Sequence, residues 1–436
     1  MTPLNPTHDP ALRSWVDSAN ADGTDFPIQN LPFGVFRRGS GGGAPAVGVA
    51  IGDQILDLAR AIELGLLSGV SDAIRTAARA ASLNLLAGCA AADVSGLRRQ
   101  LSESLRAGNS RADERVLVPM NGAELLLPIV PSDYTDFYSS IFHATNVGRL
   151  FRPDNPLLPN YKYVPIGYGG RCSSIVISGT AVRRPCGQVS TAEGPIVKPS
   201  ARLDYEIEIG FVAGTGTALG EPVSIDRAED HVFGACLVND WSARDIQAWE
   251  YQPLGPFLAK SFATSLSPWM VTLEALAPFR CEAFTRPAGD PAPLPHLFAE
   301  EDRRRGGFDL TVEVWLRSGE MRRSGQAPVR LSRGSFRDMY WTLAQLVAHQ
   351  TSNGCNLRSG DLLASGTVSG PARGSEGCLL ELTGQGSTPI ELPTGEPRVF
   401  LEDDDEVIMR AVCERPGAAR IGFGECRGVV LPARPG

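Results

Sequence analysis

The segment Ala201 to Gly214, ARLDYEIEIGFVAG, constrains the fold most. Tyr205, Ile207, Ile209 and Phe211 recur at every second position, with Asp204, Glu206 and Glu208 between them. Successive strand residues point to opposite faces, so this is a β-strand with one apolar side and a row of three carboxylates on the other. Two readings fit the row. It is either the solvated face of a half-exposed strand or a cradle for a hard cation, because like charges at i and i+2 repel and a bound cation reverses that cost.

A second stretch, Asp133 to Arg152 (DYTDFYSSIFHATNVGRLFR), gathers carboxylates, tyrosines, a histidine and arginines within one short run. Its apolar residues Phe137, Ile141, Phe142, Val147, Leu150 and Phe151 can seat it against a sheet, leaving Asp136, Tyr138, His143 and Arg152 to line a cavity. That composition belongs to an active site rather than a core.

Residues 1–128 read as a separate small domain, and 129–436 as the larger one. Strands are expected at Phe33–Arg37, Ala46–Ile51 and Gln54–Leu58, with the turn-forming run GSGGGAP between the first two. Helical periodicity follows over Ile62–Leu67, Val70–Leu86 and Asp93–Leu105, all rich in alanine and leucine. Val116 to Val130 is largely apolar, with prolines near its ends.

Further along, GTGTALG (Gly214–Gly220) is followed by Glu221-Pro222 rather than by an amphipathic helix, so it reads as a hairpin turn and not a dinucleotide loop. His231 to Tyr251 is an apolar run that turns helical after Asn239-Asp240, with Asp240 or Ser242 as the expected N-cap. Arg244, Gln247 and Tyr251 then share a helix face suited to an anionic ligand, or form a solvated surface. Lys260, one of only three lysines with Lys162 and Lys198, stands among apolar residues, where an ammonium is costly unless it meets an anion. Residues 281–307 look like a Pro-rich, then charged, surface excursion. Strands are expected at Phe308–Leu316, Phe400–Val412 and Ile421–Val430, and a helix at Phe336–Gln350 whose His349 is a packing or capping residue. Ser359–Gly370 reads as a buried strand opening at Gly366-Thr367, where backbone can approach a ligand. Leu379–Leu382 reads as an apolar strand whose Glu381 needs a partner.

Composition excludes several classes. A net charge of -8 gives no electrostatic footprint for nucleic acid. The nine cysteines are scattered without a C-x-x-C pair, which argues for reduced thiols and against a zinc ribbon. The N-terminus lacks a basic stretch followed by an apolar one, and no apolar run approaches the roughly 20 residues of a bilayer crossing. A cytoplasmic location with no membrane partner is expected.

The runs DYTDFYSS, HATNVG, LLPN, VPIGYGGR, LDYEIE, NDWSARDIQAWEYQPLGPFLAKSF, GCNLRSGDLLASGTVSG and IGFGEC, with FPIQNLPFGVF near the N-terminus, resemble the fumarylacetoacetase family. The resemblance spans the whole chain. It implies a mainly β fold with some α: a small N-terminal β-barrel-like domain and a larger C-terminal mixed β-sandwich roll, in a homodimer. It also implies calcium or magnesium on Asp136, Glu206, Glu208 and Asp240, and a second, smaller cation site near Asp240 with Lys260 and Thr264. The family's general base falls on His143, with Glu381 orienting the imidazole. Arg244, Gln247 and Lys260 match groups that meet developing negative charge, and Tyr138, Arg152, Tyr168, Gln247, Tyr251 and Thr367 match substrate contacts. The chain departs from the family's pattern at Ile141-Phe142, where a polar Arg-Gln pair is common.

The activity implied is metal-dependent hydrolysis of the carbon–carbon bond of 4-fumarylacetoacetate, a small diketo acid, in tyrosine and phenylalanine breakdown. Such a cleavage needs water activated at one carbonyl and a stabilised carbanion leaving from it, which suits an imidazole beside a hard cation. The alternatives are an acylpyruvate or fumarylpyruvate hydrolase, decarboxylase or isomerase of the same superfamily, and a non-catalytic cation-binding protein. Neither a G-x-S-x-G nor an H-E-x-x-H signature occurs.

Overall fold

The computed structural model describes residues 3–39 and 43–434. Ser40, Gly41 and Gly42 of the expected turn run, and the Phe151 side chain, lie outside the described residues.

The architecture is mainly β with some helix. Near the N-terminus five antiparallel strands form one sheet, in the order Leu117–Pro119, Gln54–Asp57, Ala46–Ile51, Phe33–Arg38, Ala123–Leu126. The helix after the third strand starts earlier than its periodicity suggests, at Leu58, because the Asp57 carboxylate accepts from the Arg60 amide and caps it. The expected Val70–Leu86 helix is two short ones, Asp72–Ala77 and Asn84–Ala87. The first ends in tighter turns, with the Arg79 amide on the Thr76 carbonyl and the Ala80 amide on the Ala77 carbonyl, and Leu83, the N-cap of the second, gives its amide to the Pro128 carbonyl at 2.7 Å.

The larger part of the chain is built on two sheets. The central one runs in the order Gly167–Gly169, Tyr134–Phe137, Leu362–Ala364, Ile207–Ala213, Val232–Asp240, Thr264–Leu266, Ile175–Ile177, with Val271–Thr272 also paired to Val232–Asp240. The second runs Val329–Ser335, Thr311–Arg317, Glu406–Cys413, Ile421–Leu431, Val182–Arg183. Ile207, Ile209, Phe211 and Leu237 of the first share a buried core with Val312, Val314, Met409 and Phe423 of the second. On the opposite face, Val212, Cys236, Val238 and Leu362 join a core that continues into the N-terminal sheet through Val35, Val49 and Leu56. Reciprocal bonds between Phe33 and Met270, at 3.0 and 2.7 Å, stitch the two sheets together there.

Double coverage of the central sheet corrects the first of the two readings of the acidic row. The strand at Ala201–Gly214 forms as Leu203–Asp204 and Ile207–Ala213, and every residue from Leu203 to Ala213 is buried, so no solvated acidic face exists. GTGTALG lies in a long connection, 214–231, between two antiparallel partners rather than in a tight turn. The helix Arg244–Glu250 is capped by neither Asp240 nor Ser242; its N-cap is Ala243, without a side-chain bond, and the Ser242 hydroxyl donates back to the Asp240 carbonyl. Leu379–Leu382 is one helical turn, not a strand. Residues 281–307 are only partly surface, since Leu297 and Asp302 are buried and Asp290 pairs with Lys162. Smaller shifts also occur. The strand expected from Phe308 is interrupted at Asp309-Leu310, the helix expected from Phe336 begins at Leu343, and the strand expected from Phe400 begins at Glu406.

Candidate active site

The end of the central sheet opens on a cavity of about 260 Å³. Strand Tyr134–Phe137 delivers Asp136 to it, Ile207–Ala213 and the residue before it deliver Glu208 and Glu206, and Gly167–Gly169 delivers Tyr168. Helix Ile141–Phe151 contributes His143, and Arg152 follows at its C-cap. Helix Arg244–Glu250 presents Arg244 and Gln247, with Tyr251 beyond it, which settles the shared face in favour of the cavity. Tyr138, Lys260 and Thr367 complete the expected residues on its wall.

The imidazole is held from behind. His143 Nδ1 lies 2.5 Å from Glu381 Oε2, and both side chains are buried. The helix carrying His143 is started by Ser140, whose hydroxyl oxygen accepts from the His143 amide at 3.1 Å. Glu381 also accepts from Asn146 Nδ2 at 2.9 Å, Ser369 Oγ at 2.8 Å and Cys378 Sγ at 3.2 Å. Burial alone would raise this carboxyl, but the charge and hydrogen bond of His143, with those other donors, hold it below the ordinary carboxylate value. Nδ1 is therefore engaged by an acceptor and Nε2 is the ring nitrogen left for the cavity. Sequence reasoning missed Asn146, Ser369 and Cys378. Asn146 had a signal, since it stands three residues after His143 on the same helix and so shares its face.

Across the cavity, Asp136, Glu208 and Asp240 bring carboxylate oxygens within 4.8 Å of one another. Asp136 Oδ2 accepts from the Tyr168 hydroxyl at 2.7 Å, and Glu208 Oε2 from the Gly366 amide at 3.2 Å. Asp136 Oδ1 and Glu208 Oε1 are buried without a hydrogen-bond partner. Burial first, then the neighbouring carboxylates, push both groups well above the usual carboxylate range. Asp240, also raised by burial, accepts from Lys260 Nζ and, at 3.2 Å, from the Thr264 hydroxyl. Glu206 stands beside this triad with its oxygens already engaged, by Lys260 at 2.6 Å and Arg244 at 2.7 Å. Those two cations outweigh its burial and hold it low. Asp240, Lys260 and Thr264 share a second cavity of about 140 Å³ with Tyr168.

Two further atoms on the main cavity's wall, Arg244 Nη2 and Thr367 Oγ1, are buried without a protein partner. The residues around the cavity thus carry unpartnered acceptors on Asp136 and Glu208 and unpartnered polar atoms on Arg244 and Thr367, beside a histidine. Ile141 and Phe142 line neither cavity; they line a neighbouring groove together with Asn146 and Glu381, where Phe142 meets Phe284 edge to face at 6.0 Å. The departure from the family's pattern thus leaves the polarity of the main cavity unaltered.

Residues 29–128 match the fumarylacetoacetase N-terminal family, and residues 134–431 match the fumarylacetoacetate (FAA) hydrolase C-terminal family. The chain belongs to the fumarylacetoacetate hydrolase family. It is 46% identical to the fumarylacetoacetase of Oryza sativa subsp. japonica, over 97% of this chain and 98% of that one. It is 48% identical to that of Caenorhabditis elegans (94% and 97% covered) and 46% identical to that of Homo sapiens (95% and 98%). Among solved structures, the fumarylacetoacetate hydrolase from psychrophilic Exiguobacterium antarcticum superposes with a TM-score of 0.50 at 18% identity, covering 93% of this chain and all of that one. That likeness is one of fold.

A divalent cation of the kind implied for the fumarylacetoacetate hydrolase family fits this donor set. Three carboxylates at ligand spacing, two of them with an orphaned buried oxygen, form an all-oxygen cluster suited to a hard ion. Among the described residues no cationic side chain bonds Asp136 or Glu208, because Lys260 and Arg244 are taken by Asp240, Glu206 and Asp204. Two buried carboxyl groups left in this way must hold either protons or a cation.

Proposed function

We propose that this chain hydrolyses 4-fumarylacetoacetate to fumarate and acetoacetate, and that the cavity described above is its active site. The observation that carries the reading is that one pocket is lined by His143, backed by Glu381, and by Asp136 and Glu208, whose carboxylates cluster with that of Asp240. Relatives that share 42–48% of their residues with nearly the whole of this chain carry the name fumarylacetoacetase.

In this reading the substrate's dicarbonyl lies between the two walls. His143 Nε2 takes a proton from a water molecule whose oxygen attacks the fumaroyl carbonyl carbon, and Glu381 holds Nδ1–H and favours the resulting imidazolium. The bond from that carbon to the neighbouring methylene then breaks. Its electron pair passes onto the methylene carbon and is shared with the adjacent ketone oxygen. Arg244 Nη2, Gln247 and Lys260 supply donors toward developing negative charge, each worth on the order of 3 kcal/mol. A divalent cation on Asp136, Glu208 and Asp240, with Glu206 alongside, would polarise carbonyl oxygens in the pocket. The proton on His143 returns to the methylene carbon, which gives acetoacetate, while the fumaroyl carbon keeps the water's oxygen as fumarate. Arg152, Tyr138, Tyr168, Tyr251 and Thr367 anchor the substrate's carboxylates and carbonyls.

The reading extends to calcium or magnesium as the ion, with Lys260 and Thr264 beside a second, smaller one. It places the enzyme in tyrosine and phenylalanine breakdown and divides the chain at about residue 128. It also makes the enzyme a cytoplasmic homodimer without nucleic-acid or membrane partners. A net charge of -8 supports the lack of a nucleic-acid partner. Loss of the diketone absorbance with fumarylacetoacetate, set against fumarylpyruvate, tests the function. Turnover of the pyruvate compound alone would move the protein to the acylpyruvate hydrolases.

A further inference from the structure

We infer that Asp204 is a positioning residue that ties Arg244 to the His143–Glu381 pair, so that the anion-binding and proton-transfer sides of the pocket are set by one carboxylate; the inference rests on the function proposed above. Asp204 lies outside the cavity and is fully buried. Its Oδ1 accepts from the amides of Tyr205 and Leu379, both at 2.8 Å. Its Oδ2 accepts from the Leu380 amide at 3.0 Å and from Arg244 Nε at 2.8 Å. Four donors from three separate parts of the chain therefore converge on one side chain, which leaves it a single orientation.

Each contact has a consequence at the pocket. Leu379–Leu382 is a helical turn without a side-chain cap of its own, and Asp204 supplies the acceptors that its first amides require. That turn carries Glu381, whose Oε2 holds His143 Nδ1. On the other side, Asp204 fixes Arg244 Nε while Glu206 holds Nη1 at 2.7 Å, which leaves Nη2 buried without a hydrogen-bond partner. No hydrogen bond joins Arg244 to Glu381 among the described residues; Asp204 is the link between them. A core ion pair alone would need only the Arg244 contact. The amides of Leu379 and Leu380 on both oxygens make the carboxylate a bridge.

Steady-state kinetics on the full chain loaded with cation test this, with Asp204→Asn, Arg244→Gln, Glu381→Gln and the two double variants that include Asp204→Asn. The asparagine keeps the shape but replaces one acceptor oxygen with a donor. We expect kcat to fall about 100-fold, the scale seen when a group that orients an active residue is removed, with KM changed less than about threefold. In either double variant, adding Asp204→Asn should cost less than about fivefold more, because little is left to position. Full multiplication of the losses in either pair, while both single variants are impaired, overturns the bridge and leaves the proposed function standing. Normal activity in Arg244→Gln and Glu381→Gln overturns the proposed function and this inference together. Should Asp204→Asn fail to fold, Arg244→Gln carries the test by NMR: the His143 Nδ1 proton resonance is expected to move, and an unmoved resonance overturns the bridge.

Discussion

His143 Nδ1 and Glu381 Oε2 stand 2.5 Å apart although 238 positions separate the two residues in the chain. The contact fixes which ring nitrogen faces the cavity. An imidazole so held can accept a proton only through Nε2, and the carboxylate behind it stabilises the charge that follows.

Replacing that imidazole should remove proton transfer and leave the carboxylate cluster intact. His143→Ala is expected to lower kcat by roughly 10²- to 10⁴-fold, the range for loss of a general base, while calorimetric affinity for calcium or magnesium stays within about twofold. Near-normal turnover in this variant would end the assignment of His143 as base.

Glu208→Gln acts on the opposite wall. It keeps the side chain's size and its bond from the Gly366 amide but removes one charge from the triad. Cation affinity measured by titration calorimetry should fall at least about tenfold, since hard cations depend on the number of charged oxygens around them. Unchanged affinity would remove Glu208 from the ligand set.

The same carboxylates predict how the chelator-treated protein responds to pH. Burial and mutual repulsion raise Asp136 and Glu208 above their unfolded values, so the folded chain binds more protons than the unfolded one once pH exceeds about 4. By linkage their stabilising effect is complete below that pH and is lost as pH rises toward their folded values, at up to about 1.4 kcal/mol per pH unit for each proton. Thermal melting in a chelator should therefore show a falling contribution between pH 5 and neutrality that calcium or magnesium flattens, and Asp136→Asn should reduce the slope. Equal slopes with and without cation would count against the cluster as a cation site.

Much of this site was legible in the sequence because its residues fall in short runs. DYTDFYSS and LDYEIE place acids on strands whose alternation is local, and Arg244, Gln247 and Tyr251 keep the helix spacing that brings them to one wall. Legibility failed where a distant partner decides local structure. Leu379–Leu382 looks like an apolar strand, yet it coils because Asp204 meets its amides from 175 positions away. Val70–Leu86 has helical periodicity throughout, yet it breaks after Ala77, and the N-cap of its second part, Leu83, is held by the distant Pro128 carbonyl. The acidic row seemed able to face water because alternation says which residues share a face and not what covers that face. Gly366 and Thr367 do line the cavity, and the Gly366 amide also meets Glu208; a Cβ at Gly366 would lie 2.1 Å from the Phe137 carbonyl oxygen, at a φ of +75°.

Ile141 and Phe142 give the sharpest separation of stability from activity. They directly precede His143 in sequence, yet the helix turns them onto a different groove from the one that holds the imidazole. Phe142 contacts Phe284 edge to face, which pins the 281–307 segment against the helix. Exchanging the pair for the polar residues common in the family, as Ile141→Arg with Phe142→Gln, removes that contact and none on the cavity wall. Chemical denaturation should show a loss of about 1–3 kcal/mol, from the aromatic pair and the half-buried apolar surface together. Meanwhile kcat/KM for fumarylacetoacetate should stay within about threefold, because Ser140 still starts the helix and Glu381 still holds His143. A large fall in kcat/KM without a loss of stability would mean that the groove and the catalytic pocket act as one site through Glu381, which lines the groove and holds His143, and the separation of the two would have to be given up.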